Sequence, residues 1–237
     1  MKAVRDGDLT LTEELDQFSG TQGFVLDVEI AREATACNVT LSPVAVQLLA
    51  SQARDVLRAN SEFKLTAITE PREFVRRHLG EAFQGAALIE AGSAGMLLDL
   101  GSGNGYPGLP VAAVHPGLRP VLAEASKRKA GFLRGLLENY YPTGDVIETH
   151  IQRAADLEAA GPARVIVMRA MGNWERILPR LRHALTSDGE LLVWAGDRME
   201  ALLDRSAWRG YKLIKRHLLR GRTQSWVWLF RRDDTLR

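Results

Sequence analysis

Three glycines at alternate positions, Gly101, Gly103 and Gly105, close a short apolar run in the stretch Met96 to Gly108, MLLDLGSGNGYPG. Met96 to Leu98, then Asp99 and Leu100, predict a buried strand that ends in a tight turn and opens into a helix, leaving backbone N–H groups where a polar ligand can approach. Glycine suits such a turn because it lacks Cβ and tolerates positive φ. Glu124 stands twenty-five residues after Asp99, at the end of a second apolar stretch, Pro120 to Ala123. A carboxylate there can accept hydrogen bonds from the two hydroxyls of a ribose. Two ligands fit this outline, a nicotinamide or flavin dinucleotide and S-adenosylmethionine. The dinucleotide pattern wants a third glycine three residues beyond the second, but Tyr106 holds that place and Gly105 comes one residue early. The spacing therefore leans towards a nucleoside with a small charged tail. A purely structural turn is the competing possibility, and the acid at the next strand end counts against it.

The elements that must position these residues follow from composition and patterning. The chain has 237 residues, 46% of them apolar, enough for one large core or for a main domain with a smaller partner. One cysteine, Cys37, argues against a disulfide framework and a cysteine metal cluster, and reads as a small buried hydrophobe. No leader-like segment opens the chain and no run approaches about eighteen apolar residues, so a soluble cytoplasmic protein without membrane contact is expected. The formal charge of +2 does not announce nucleic acid; local clusters must do so.

Val25 to Ala36 suits a helix. Ser42 and Pro43 form a start signal for a second, predicted to run to about Ala59. Glu70 to Phe83, entered through Pro71, is a third. Gly92, Ser93 and Gly95 mark a loop, which divides a helical region, residues 1–92, from a main domain, residues 93–237. Beyond the glycine turn, helices are predicted over Leu109 to Val114, Ser126 to Tyr140 and Glu175 to Leu185. Strands are predicted to Glu124 and over Val146 to His150, Arg164 to Met168 and Glu190 to Ala195. Tyr211 to His217 and Ser225 to Phe230 read as an antiparallel pair. Trp226 and Trp228 share a strand face, which favours packing over base stacking.

Charged residues at the ends of these elements are the next candidates. Arg169 closes the fourth strand, on the edge where ligands sit in open α/β sheets. Arg76 and Arg77 on the third helix are candidates for phosphate contact. So are Lys127, Arg128 and Lys129, which crowd cations at a helix start against the macrodipole. Arg134, Arg220 and Arg222 extend the set.

The run Asp99-Leu-Gly-Ser-Gly-Asn-Gly-Tyr-Pro-Gly-Leu-Pro110 resembles the motif of the GidB/RsmG family of 16S ribosomal RNA guanine-N7 methyltransferases. Glu124-Ala-Ser-Lys-Arg-Lys-Ala-Gly-Phe-Leu-Arg134 is similar to the segment in which that family places an acid, a basic pair and Phe-Leu-Arg. Arg169-Ala170 resembles its Arg-Ala segment, and Asn60, Leu65-Thr66 and Arg77-His78 match its N-terminal signature in part. The similarity spans roughly Ser42 to Arg231. Lys64 replaces an asparagine of the family pattern, Gly80 and Glu81 a Leu-Asp pair, and Ala195 a lysine, which bears on the nucleotide methylated.

The resemblance implies a class I S-adenosylmethionine-dependent methyltransferase, a Rossmann-like seven-stranded sheet with an antiparallel last strand, carrying an N-terminal helical cap. It implies methyl transfer from S-adenosylmethionine to guanine N7 of 16S ribosomal RNA, presented free, in the small ribosomal subunit or in an assembly intermediate, without a metal. The alternatives are another RNA or a small molecule as substrate, or a non-catalytic RNA-binding protein that keeps the cofactor pocket. The cofactor residues implied are Asp99, Gly101, Ser102, Gly103, Gly105, Gly108, Leu109, Glu124 and Ala125, with Gln152, Arg153, Ala154 and Ala155 at the adenine, and Arg169. Arg169, Asn60 and His78 are the implied catalytic-side residues, with Arg169 positioning substrate and Asn60 and His78 open to a role in stitching cap to sheet.

Overall fold

The computed structural model describes residues 25–149, 157, 160–169, 174–203 and 208–235. Helix α1 spans Leu26–Ala36 and α2 spans Pro43–Phe63. Ser42 caps α2 as its signal predicts, its side chain accepting from the Ala45 N–H at 3.1 Å with Pro43 in the first turn. The helix runs one turn past Ala59 because neither glycine nor proline stops it. It ends where the Lys64 N–H returns to the Asn60 carbonyl at 3.0 Å and Lys64 turns left-handed. Helix α3 opens at Pro71–Phe74, widens to a π-helical stretch over Val75–Gly80 and closes as Glu81–Ala86. Such widenings recur at functional sites, and this one carries His78.

Seven strands form one sheet in the order β3-β2-β1-β4-β5-β7-β6. These are β1 Gly95–Leu100, β2 Leu118–Glu124, β3 Asp145–Glu148, β4 Ala163–Arg169, β5 Leu185–Gly196, β6 Tyr211–Leu218 and β7 Ser225–Arg232. The first five pair in parallel, while β7 is antiparallel to both β5 and β6. The remaining helices are α4 Gly108–Val114, α5 Lys127–Tyr140 and α6 Trp174–Ala184. Strand β5 begins at Leu185, earlier than the predicted Glu190. Leu185 already pairs with Ala163, and residues 186–189 form an irregularity before Glu190 joins Val165.

Side chains alternate across the sheet. Leu97, Leu122, Val165, Val167, Leu192 and Val227 face α1 to α5 in one core, which runs unbroken from the cap helices to the sheet. Leu98, Val121, Ile166, Met168, Leu191 and Trp228 face α6, Trp208 and Tyr211 on the other side. Trp208 stacks on Phe230 at 4.2 Å and Trp228 is buried, as packing residues should be; Trp226 is half-buried beneath the Arg216 guanidinium at 4.2 Å. Gly85 lets the cap approach β5, since a Cβ there would enter the Trp194 ring. The Trp194 indole N–H then donates to the Glu81 carbonyl at 3.0 Å. Among the described residues, no helix is long and apolar enough to cross a membrane.

Candidate functional site

The C-terminal ends of β1, β2 and β4 open onto one crevice, with strand order changing direction beside β1. The glycine turn forms its floor. Gly101, Gly103 and Gly105 hold φ of +72°, +58° and +87°, which only glycine adopts without strain. The Gly101 and Ser102 N–H groups donate to the Ala123 carbonyl at 2.9 and 3.2 Å, tying the turn to β2. Gly101 and Gly103 are accessible, whereas Ser102, Gly105, Gly108 and Leu109 are buried behind them. A Cβ on Gly103 would meet nothing nearer than the Gly101 carbonyl at 3.8 Å, so this backbone borders open space.

Glu124 does more than end β2. Its Oε2 accepts from the Gly103 N–H at 2.9 Å and its Oε1 from the Ser126 N–H at 2.8 Å. A carboxylate has about four acceptor positions, so this clasp leaves lone pairs for a diol. Asp99 lies beneath the turn, its Oδ2 accepting from the Gly108 N–H at 3.1 Å and a Cβ on Gly108 would stand 2.5 Å from that oxygen. Its Oδ1 is buried without a partner among the described residues. Burial raises the carboxyl to about 7, with Glu124 adding to the rise and the Gly108 N–H, Arg169 and Ser102 opposing it. An orphaned buried oxygen beside an open glycine cradle and a diol-ready acid fits a cationic nucleoside. Ala125 is exposed at the same rim. Gln152, Arg153, Ala154 and Ala155, expected at the adenine, lie outside the described residues.

Opposite the clasp, the three other candidates meet in one hydrogen-bonded chain. Asn60 Oδ1 accepts from the Thr66 N–H at 2.8 Å, Thr66 Oγ1 lies 2.9 Å from His78 Nε2, and His78 Nδ1 lies 3.0 Å from Arg169 Nη2. A guanidinium only donates. His78 Nδ1 is therefore the acceptor, Nε2 carries the proton, and the ring is neutral. Burial and the nearby Arg169 and Arg77 charges agree, lowering its pKa to about 3. The ring stacks on Tyr106 at 5.4 Å and meets Phe74 edge-on at 4.7 Å.

The chain ends on Glu81, a buried acid shared by three arginines. Arg222 reaches its Oε1 with Nη2 at 2.9 Å and Nε at 3.1 Å, Arg77 Nε approaches to 3.2 Å, and Arg169 Nη1 stands 3.9 Å from Oε2. Burial lowers the Arg169 pKa, with Glu81 and Asp99 raising it in opposition. Glu81 thus links the cap to β4 and to the β6–β7 loop, a second contact of which is the Arg220 N–H to Gln84 Oε1 at 2.7 Å. Gly80 admits the Glu33 carboxylate, which pairs with Arg220. Thr66 stands in the partly matched N-terminal signature and Glu81 in a departure from the family pattern, but neither carries a site role in the sequence reading. The spacing of Glu81 four residues beyond Arg77 is a further local hint of their pairing.

The remaining cations divide into free and engaged. Arg76 is exposed without an ion pair among the described residues, its Nη1 3.3 Å from where a Gly221 Cβ would be. Lys127 and Lys129 are likewise unpaired. Arg128 donates to the Glu62 carbonyl and lies 5.1 Å over Phe63, and Arg134 pairs with Glu148 at 3.4 Å.

Residues 46–210 match the family described as GidB, rRNA small subunit methyltransferase G. The chain is 31% identical over 182 residues to the Sorangium cellulosum ribosomal RNA small subunit methyltransferase G, covering 75% of each chain. It is 35% identical over 141 residues to the protein of the same name from Xylella fastidiosa, covering 60% of this chain and 64% of that protein. Among solved structures, a predicted O-methyltransferase from Agrobacterium tumefaciens superposes with a TM-score of 0.52 at 23% identity, over 64% of this chain and 80% of that one. The ribosomal protein L11 methylase of Lactobacillus delbrueckii subsp. bulgaricus gives 0.52 at 15% identity, over 66% and 79%. With the strand order, these likenesses make the fold that of a class I methyltransferase.

Proposed function

The chain belongs to the GidB family, rRNA small subunit methyltransferase G, and on that premise we propose that this methyltransferase moves the methyl of S-adenosylmethionine to guanine N7 of 16S ribosomal RNA in the cytoplasm. The observation that carries the proposal is the two-sided crevice, with the Glu124–Gly103 clasp on one side and Arg169, oriented by neutral His78, on the other. Glu124 would hold the ribose hydroxyls, Gly101 and Gly103 the methionine end, and Asp99 the ammonium. When bound, S-adenosylmethionine supplies a methyl on a sulfonium that departs as a neutral thioether.

Guanine N7 carries a lone pair in the neutral base, so no proton has to be removed first. Methyl transfer to N7 therefore requires no general base. His78 is unsuited to that task, since Arg169 occupies its one basic nitrogen. What remains is in-line placement of N7, which is catalysis by proximity and orientation. Arg169 uses Nη2 on His78 and keeps other N–H groups for guanine O6 or a phosphate. It should avoid N7, where a donor would block the attacking lone pair. Positive charge grows on the base during transfer, and Glu81 near Arg169 moderates the repulsion between the two cations. The cap, residues 1–92, supplies Asn60, Thr66, His78 and Glu81, and the main domain, residues 93–237, supplies Arg169 and Arg222. Arg76, Arg77, Arg220 and Arg222 on one rim, and Lys127, Arg128, Lys129 and Arg134 on the other, would meet RNA phosphates.

The test is mass mapping of 16S ribosomal RNA from cells with and without the gene. Loss of one N7-methylguanosine, restored by the purified protein and S-adenosylmethionine, is the expected result. An unchanged modification profile refutes the proposal.

A further inference from the structure

The end of α2 and the start of the connector to α3 are pinned at two points. On the β2 side, Arg128 of α5 donates to the Glu62 carbonyl and lies 5.1 Å over the Phe63 ring, which itself packs 5.4 Å from Phe132. On the β4 side, Thr66 is fixed by Asn60 and His78 at 2.8 and 2.9 Å. Lys64 sits between the pins. It is exposed, and its amine has no partner among the described residues.

Its backbone holds φ +54° and ψ +52°, the left-handed region that a residue with a Cβ seldom adopts. A chain that needed only to end a helix would place glycine or asparagine there. A lysine standing at a locally unfavourable position, beside the candidate site, points to a use for its charge. Lys127 and Lys129 stand just beyond Glu124 and Ser126, on the same helix start that pins Glu62 and Phe63, and are also unpaired. As cations in a first helical turn they too are placed against local electrostatics. Lys64 directly follows Phe63, over which Arg128 lies, so it borders the helix start that carries Lys127 and Lys129, while Arg76 lies against the β6–β7 loop on the far side. A base drawn out of an RNA strand into a pocket carries a backbone phosphate on each side of it.

We infer that Lys64, with Lys127 and Lys129 beside it, contacts the RNA phosphate flanking the target nucleotide on the rim opposite Arg76. The inference rests on the RNA methyl transfer proposed above. Lys64→Asn separates its two components, because asparagine tolerates the left-handed region while removing the charge. Binding is measured to 16S ribosomal RNA, protein-free and in the small subunit, across a salt series, beside S-adenosylmethionine affinity and thermal melting.

Expected for Lys64→Asn is RNA affinity lower by about 2- to 5-fold, a log-affinity against log-salt slope shallower by about 0.7–0.9, unchanged S-adenosylmethionine affinity, and a melting temperature raised by roughly 2–4 °C. Lys64→Glu keeps the backbone strain, so it should lose more RNA affinity without the gain in melting temperature. RNA affinity and salt slope equal to the parent's in both variants overturn the inference alone. A parent protein that binds neither form of the RNA overturns the proposed function, and the inference with it.

Discussion

Glu124→Gln is a small change on paper and a large one in this crevice. Both carboxylate oxygens accept backbone N–H groups, from Gly103 at 2.9 Å and Ser126 at 2.8 Å. Glutamine keeps one acceptor and must turn its NH2 towards the other N–H. One charge-assisted hydrogen bond is lost, about 1.5–3 kcal/mol, and the surviving one becomes neutral and weaker. Gly103 loses its side-chain anchor and has to be ordered when the nucleoside binds, while Gly101 and Ser102 stay tied to the Ala123 carbonyl. A total of about 2–4 kcal/mol corresponds to roughly 30- to 1,000-fold in dissociation constant. Isothermal titration with S-adenosylmethionine at pH 7 measures it, and thermal melting without ligand measures the part that belongs to the turn. Glu124→Asp should not recover the parent's affinity, because one methylene fewer cannot reach both N–H groups. Binding by Glu124→Gln within about 2-fold of the parent would refute the clasp as the organiser of the pocket.

Gly85→Ala drives a methyl into the Trp194 ring; overpacking of about 1–3 kcal/mol should lower the melting temperature by roughly 3–10 °C, and an unchanged value would mean that the cap does not press on β5 there. Arg169→Lys cannot serve His78 and a substrate oxygen together, so methyl transfer should fall by at least about 10-fold while S-adenosylmethionine affinity holds; an equal loss in both would move Arg169 to the cofactor. The pH dependence of stability has two opposed contributions. His78, lowered from 6.5 to about 3, binds its proton more readily in the unfolded chain, so its contribution is complete above 6.5 and disappears as pH falls towards 3. Asp99, raised from 3.8 to about 7, holds its proton in the folded chain, so stability declines as pH rises from about 4 to 7. Each slope approaches about 1.4 kcal/mol per pH unit and they offset each other between about 4 and 6.5; denaturant titrations of Asp99→Asn should uncover the His78 rise, and a slope identical to the parent's would contradict the Asp99 assignment.

Locally encoded features were the readable ones. Ser42 and Ser126 cap their helices because a side-chain oxygen answers N–H groups three residues away, and the glycine turn follows from the φ values it requires. Failures lie where the deciding contact is distant. Helix α2 overran Ala59 and β5 began at Leu185 because no glycine or proline marks either boundary and pairing with β4 sets the latter. Asn60, His78 and Arg169 are each visible in the sequence as separate candidates, yet Thr66, which joins the first two, has no charge or ring to mark it. Glu81 collects Arg222 from 141 residues away; its importance comes from the company that folding brings it, which no spacing rule contains.

Strand β7, the last element of the sheet, is inserted between β5 and β6 instead of being added at an edge. A chain emerging from its own ribosome can therefore assemble the five parallel strands early, but β6 has no seat until the final strand arrives. The loop joining those two strands brings Arg220 and Arg222 to the cap. Synthesis is thus coupled to assembly: until β7 is made, the β6–β7 loop cannot hold Arg220 against Glu33 or Arg222 against Glu81, and the helices around the crevice lack those two ties.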